Sequence, residues 1–209
     1  MRSWWPSRNW KSCPWRTMKL LYFNIIMLYF VRHGESEANR EGVFAGQRND
    51  SPLTLRGREQ ARLAGRAIIT RGISIDRIIA SPLLRARETA KIIARVIRFE
   101  GGVATDPRLM EYDMGSLSFE PIREITPLEL VSAEGAEDPQ VFLERAVAAV
   151  REAATHDEAT PGNNTLLVSH GGIYDILHIA RTKGDPRLFF RAADRDNGEV
   201  IALPWPLIS

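Results

Sequence analysis

Residues 27–31, Met-Leu-Tyr-Phe-Val, form an unbroken apolar run of strand length, and Arg32-His33-Gly34 follow it directly. Such a run suits a strand buried on both faces. Residues 40–53, rich in Gly, Asn and Asp, read as a loop. Between a start signal at Thr54 and a glycine stop at Gly72, the apolar positions Ala61, Ala64 and Ile68, with Leu63 and Ala67, recur at helical spacing. Residues 75–81 predict a second strand, 85–97 a helix, and 103–115 a short extended piece. The segment 138–155 is amphipathic through Phe142, Ala146, Val147 and Val150 and predicts a longer helix. Residues 164–170 repeat the buried-strand pattern and 172–184 a helical one. Residues 198–205 can close the sheet, their prolines fitting an edge strand.

Strands alternating with helices predict a three-layer α/β/α fold around a mostly parallel sheet. In such sheets ligands bind beyond the carboxyl ends of the strands. The first strand ends in Arg32-His33-Gly34, the second in Ser81-Pro82 with Arg85 following, and the late one in His170-Gly171-Gly172. If the three are parallel neighbours, two histidines and two arginines converge on one spot, and Glu111, behind Leu109-Met110, can reach the same mouth. Paired guanidiniums grip phosphate or carboxylate. A histidine among them is a candidate nucleophile or acid–base group. The glycines beside both histidines allow close approach.

Composition adds limits. With 209 residues, 44% of them hydrophobic and 26% charged, the chain fits one soluble globular domain. Its net charge of +2 comes from the start: residues 1–26 carry five basic residues and no acid, leaving 23 basic against 26 acidic, a net −3, from Met27 onward. Nothing in that balance suggests nucleic acid. The same 26 residues hold four of the five tryptophans and the single cysteine, Cys13. They lack a cleavage site, and the apolar stretch 19–31 is broken by Asn24 and short for a bilayer. Residues 1–26 are therefore expected to be a disordered or non-native extension, with a membrane-surface anchor as the alternative, and 27–209 a single domain. A body without cysteine excludes disulfides there and suits the cytoplasm. His156 and His178 add no short-spaced metal-ligand pair, so neither metal nor cofactor is expected.

Five blocks carry a resemblance: VRHGESEAN (31–39), FAGQRNDSPLTLRGREQA (44–61), SPLLRARETA (81–90), LMEYDMG (109–115) and SHGG (169–172). At these residues the chain resembles the histidine phosphatase superfamily, which includes cofactor-dependent phosphoglycerate mutases and small phosphomonoesterases. The resemblance implies that His33 attacks phosphorus and is transiently phosphorylated. It implies that Arg32, Arg85 and His170 hold the phosphoryl group, with Asn39, Ala45 and Gly46 in substrate binding. Glu111 would protonate the leaving oxygen, then activate water, with no metal. Asp113 is the alternative acid, and Asn39 could instead cap the next segment.

Family mutases typically read Glu-Arg-His-Tyr-Gly around the acid and carry an insertion with two adjacent arginines. Here the block is Glu111-Tyr112-Asp113-Met114-Gly115, and Arg123 is the one basic residue between Glu111 and Arg145. Gln47 stands where mutases usually have an aromatic residue. These departures favour a phosphomonoesterase over a mutase, and the complete set of site residues argues against a third reading, an inactive phospho-ligand binding module. The expected substrate is a small phosphate ester or a phosphoprotein. Residues 115–137 are the expected specificity segment, and a homodimer stays open.

Overall fold

A computed structural model of the chain describes residues 26–159, 163–190 and 196–205. Of the expected extension, residues 1–25 lie outside these, while Ile26 already belongs to the first strand. The elements alternate as the sequence pattern predicts. They are β1 (Ile26–Arg32), α1 (Glu37–Glu41), α2 (Leu55–Thr70), β2 (Arg77–Ala80), α3 (Leu84–Val96) and β3 (Val103–Thr105). After them come α4 (Pro127–Val131), α5 (Pro139–Ala159), β4 (Thr165–Ser169), α6 (Gly171–Thr182) and β5 (Val200–Trp205).

The sheet order is β3-β2-β4-β1-β5, parallel except for β5, which pairs antiparallel with β1 at the edge. The edge position explains how β5 carries Pro204, since a strand with one free side can lose a donor. Strand residues alternate between the two faces. Leu28, Phe30 and Leu167 pack with α5 and α6 residues such as Phe142, Val150 and Ile176. Val31, Ile78, Ala80, Leu166 and Val168 pack with Ala64 and Ile68 of α2 and Ile93 of α3. All five residues of the central β4 are buried, as a two-sided core requires.

Two expectations need correction. Leu63, placed on the apolar face of α2, is 52% exposed, while Ala61, Ala64 and Ile68 are buried. The loop expected from residue 40 begins after α1, a five-residue helix whose capping box joins Ser36 and Asn39.

The strand order makes β2, β4 and β1 neighbours, so their carboxyl ends lie side by side. His33 N donates to Ser169 O at 2.9 Å and Ser81 N to Val168 O at 2.9 Å, extending the ladders into the loops that carry the histidines and Ser81. At the end of β1 the backbone runs against the first turn of α2. A Cβ on Gly34 would lie 2.2 Å from Gly57 O, and one on Gly57 would lie 2.0 Å from Glu35 O, so both positions need glycine.

Candidate active site

Beyond these strand ends opens a cleft of about 550 Å³. Arg32, His33, Asn39, Ala45, Gly46, Arg85 and Glu111 all line it. His170 is wholly buried beside it, its ring 5.1 Å from that of His33.

His33 is 4% exposed, and its Nδ1 lies 2.7 Å from Gly34 O. A carbonyl only accepts, so Nδ1 carries the hydrogen and Nε2 the lone pair. That lone pair accepts from Arg85 Nε at 3.3 Å. Burial, then the charges of Arg85 and Arg32, hold the His33 pKa well below its ordinary value of 6.5, which keeps the ring neutral. Burial is the larger cause, and the two guanidiniums add to it.

Arg85, on the first turn of α3, is 1% exposed. Its Nη1 donates to Asn49 O at 3.0 Å and its Nη2 to Gly46 O at 2.8 Å. One guanidinium thus fixes the loop that forms a wall of the cleft and faces the His33 lone pair. Neither Arg85 nor Arg32, which lines the cleft at the end of β1, is a solvated surface charge.

His170 Nε2 lies 2.7 Å from Ser81 Oγ, which itself accepts from Leu83 N at 3.3 Å. A hydroxyl can donate or accept in this contact, so either tautomer of His170 fits it, and Nδ1 is buried with no hydrogen-bond partner among the described residues. Burial and the charge of Arg85 depress the His170 pKa as well.

Glu111 Oε1 accepts from Tyr112 N at 2.9 Å and Oε2 from Gly172 N at 3.3 Å. A Cβ on Gly172 would sit 2.2 Å from Oε1, so that glycine makes room for the carboxylate. Asp113 is committed elsewhere: it accepts from Arg48 Nε at 2.8 Å and from Gly115 N at 3.0 Å, and does not line the cleft. Asn39 takes the capping role weighed for it and stands at the cleft. Its Oδ1 accepts from Ser36 N at 3.1 Å within the capping box, and the residue also lines the cleft.

Val43, Phe44, Met114 and Ile122 make the loop side of the cleft, its mouth, largely apolar, and Phe189, Phe190 and Asp175 of α6 complete the lining. Of the expected specificity segment 115–137, Ile122 alone is among the lining residues. It is brought there because Ile122 N donates to Gly42 O and Phe44 N to Glu120 O, at 2.6 and 2.9 Å. Arg123 is exposed and pairs with Glu129 at 3.4 Å. The contact of Ser81 with His170 and the apolar lining were not foreseen; a serine at a strand end next to an anion site was the one available signal. Among the described residues no three His, Cys, Asp or Glu side chains are grouped as a metal would need. No helix among them is long and apolar enough to cross a membrane.

An imidazole lone pair, two guanidiniums and a carboxylate that line one cleft can together hold a tetrahedral anion. The profile of the histidine phosphatase superfamily (branch 1) matches residues 28–206, and the chain belongs to that superfamily. It is 37% identical over 158 residues to a probable phosphoglycerate mutase GpmB of Yersinia enterocolitica, covering 70% of each chain. A mycobacterial glucosyl-3-phosphoglycerate phosphatase solved with VO3 superposes with a TM-score of 0.71 at 25% identity, over 85% of this chain and 92% of that one. A phosphoglycerate mutase from Bacillus anthracis shares the fold with a TM-score of 0.75 at 21% identity, over 88% and 89%.

Proposed function

We propose that the chain is a phosphomonoesterase that works through a phosphohistidine on His33 and needs no metal. The observation that carries this reading is the tautomer of His33: Gly34 O takes the Nδ1 hydrogen and leaves the Nε2 lone pair toward Arg85 in the cleft. Nε2 attacks phosphorus while the bond from phosphorus to the ester oxygen breaks, and Glu111, in its acid form, gives that oxygen its proton. Water then attacks the phosphohistidine, Glu111 takes a proton from it, the phosphorus–nitrogen bond breaks, and phosphate leaves. Arg32, Arg85 and His170 hold the equatorial oxygens, where charge accumulates.

A second reading, phosphoglycerate mutase, draws on the naming of the relatives that are 37–38% identical. The Glu111-Tyr112-Asp113-Met114-Gly115 block weighs against it, and Asp113 is bonded to Arg48 and does not line the cleft. Assaying the full chain with chelator present separates the two. Steady release of p-nitrophenol from p-nitrophenyl phosphate without phosphoglycerate interconversion supports the phosphatase, and interconversion as the faster reaction supports the mutase. A requirement for added divalent metal would remove the metal-free mechanism.

A further inference from the structure

Glu111 lies in a stretch with no helix or strand, between single 3₁₀ turns at Pro107–Leu109 and Gly115–Leu117. No regular ladder aims its side chain. Arg145, reaching over from α5, is bonded along this stretch. Its Nη1 donates to the carbonyls of Arg108 and Met110, both at 2.7 Å, and its Nη2 to the carbonyl of Glu111 at 2.9 Å. The rest of the fork is held by Glu137, Nε to Oε1 at 2.6 Å and Nη2 to Oε2 at 2.8 Å. Glu137 is tied to the same stretch: its N donates to Asp113 O at 2.9 Å, and its carbonyl accepts from Tyr112 OH. The guanidinium lies 4.6 Å over the Phe142 ring, so packing fixes its plane.

We propose that Arg145 is a positioning residue that aims Glu111: its bonds to three carbonyls between Arg108 and Glu111 set where the carboxylate stands, and Glu137 locks the fork. The inference rests on Glu111 being the proton donor. A lysine carries one ammonium and cannot span three carbonyls and a carboxylate in one plane.

The test is a series of aryl and alkyl phosphates of decreasing leaving-group acidity, assayed on the full chain with kcat/KM read for each, which reports transfer to His33 and not the later hydrolysis. A proton donor matters most for the poorest leaving groups. Glu111→Gln is expected to cost a few-fold on p-nitrophenyl phosphate and about 100-fold or more on alkyl phosphates. Arg145→Gln and Arg145→Lys are expected to show the same graded loss, about 10-fold or more at the alkyl end, by analogy with outer-shell partners. Vanadate inhibition should be unchanged, and Glu111→Gln with Arg145→Gln together no slower than Glu111→Gln alone. Arg145→Lys keeps a cation beside Glu137 and carries the test if the glutamine variant does not fold. A graded loss in Glu111→Gln beside a uniform loss, or weakened vanadate binding, in the Arg145 variants overturns the inference and leaves the role of Glu111 standing. A flat series for Glu111→Gln overturns both.

Discussion

At the inner end of the cleft, His33 and Arg85 are bonded to each other and to carbonyls at Gly34, Gly46 and Asn49. At the mouth, Phe44 and Ile122 are carried by two loops whose backbones bond to one another, Phe44 N to Glu120 O and Ile122 N to Gly42 O. The inner groups are fixed before a ligand arrives, which is what stabilising charge in a transition state requires. The mouth offers apolar surface on segments that can differ without disturbing the sheet. On the proposed function, reaction type would reside in the strand ends and substrate choice in the loops.

The largest expected effect breaks the inner end. Arg85→Ala should lower kcat/KM by about 3 kcal/mol of transition-state stabilisation, on the order of a hundredfold, by analogy with an oxyanion-hole donor. It also releases Gly46 and Asn49, so the variant should lose kcat as well as affinity for phosphate. A change in KM alone would mean that Arg85 acts on binding only.

A second prediction concerns the two buried imidazoles. Their pKa values in the folded chain lie below the ordinary 6.5. Above about pH 6.5 both are neutral folded and unfolded and contribute nothing to a pH dependence. As pH falls below 6.5, the unfolded chain binds protons that the folded chain refuses, and stability drops by up to about 1.4 kcal/mol per pH unit for each group until its folded pKa is reached. Denaturant unfolding at pH 7.5 and pH 5 measures this. His170→Ala and His33→Ala should each flatten the slope, and equal slopes in all three proteins would contradict the assignment.

The smallest effect belongs to the mouth. Phe44→Ala should raise KM for aryl phosphates several-fold, removing on the order of 1 kcal/mol of apolar contact, with kcat nearly unchanged. A large loss of kcat would mean that the two regions are not separable.

The same division governs what the sequence discloses. Arg32, His33, Ser81 and His170 stand where apolar runs stop, and a parallel sheet brings such ends together, so the inner site is legible from pattern and motif. The mouth is not, because the pairing of residues 42–44 with 119–122 leaves no periodic trace in either loop. Helices α1 and α4, five residues each, are too short to set a period. Arg145 left a faint sign: it sits between Phe142 and Ala146 on the apolar face of α5, where a charge needs partners.

The central claim is that His33 Nε2 becomes covalently bound to phosphorus. Rapid acid-free quenching of the protein during turnover of a phosphate ester, followed by peptide mass spectrometry, tests it most directly. The account predicts one phosphoryl group on the peptide containing His33, stable to base, lost in acid and missing in His33→Ala. Turnover with the label on another residue, or undiminished turnover in His33→Ala, would contradict it.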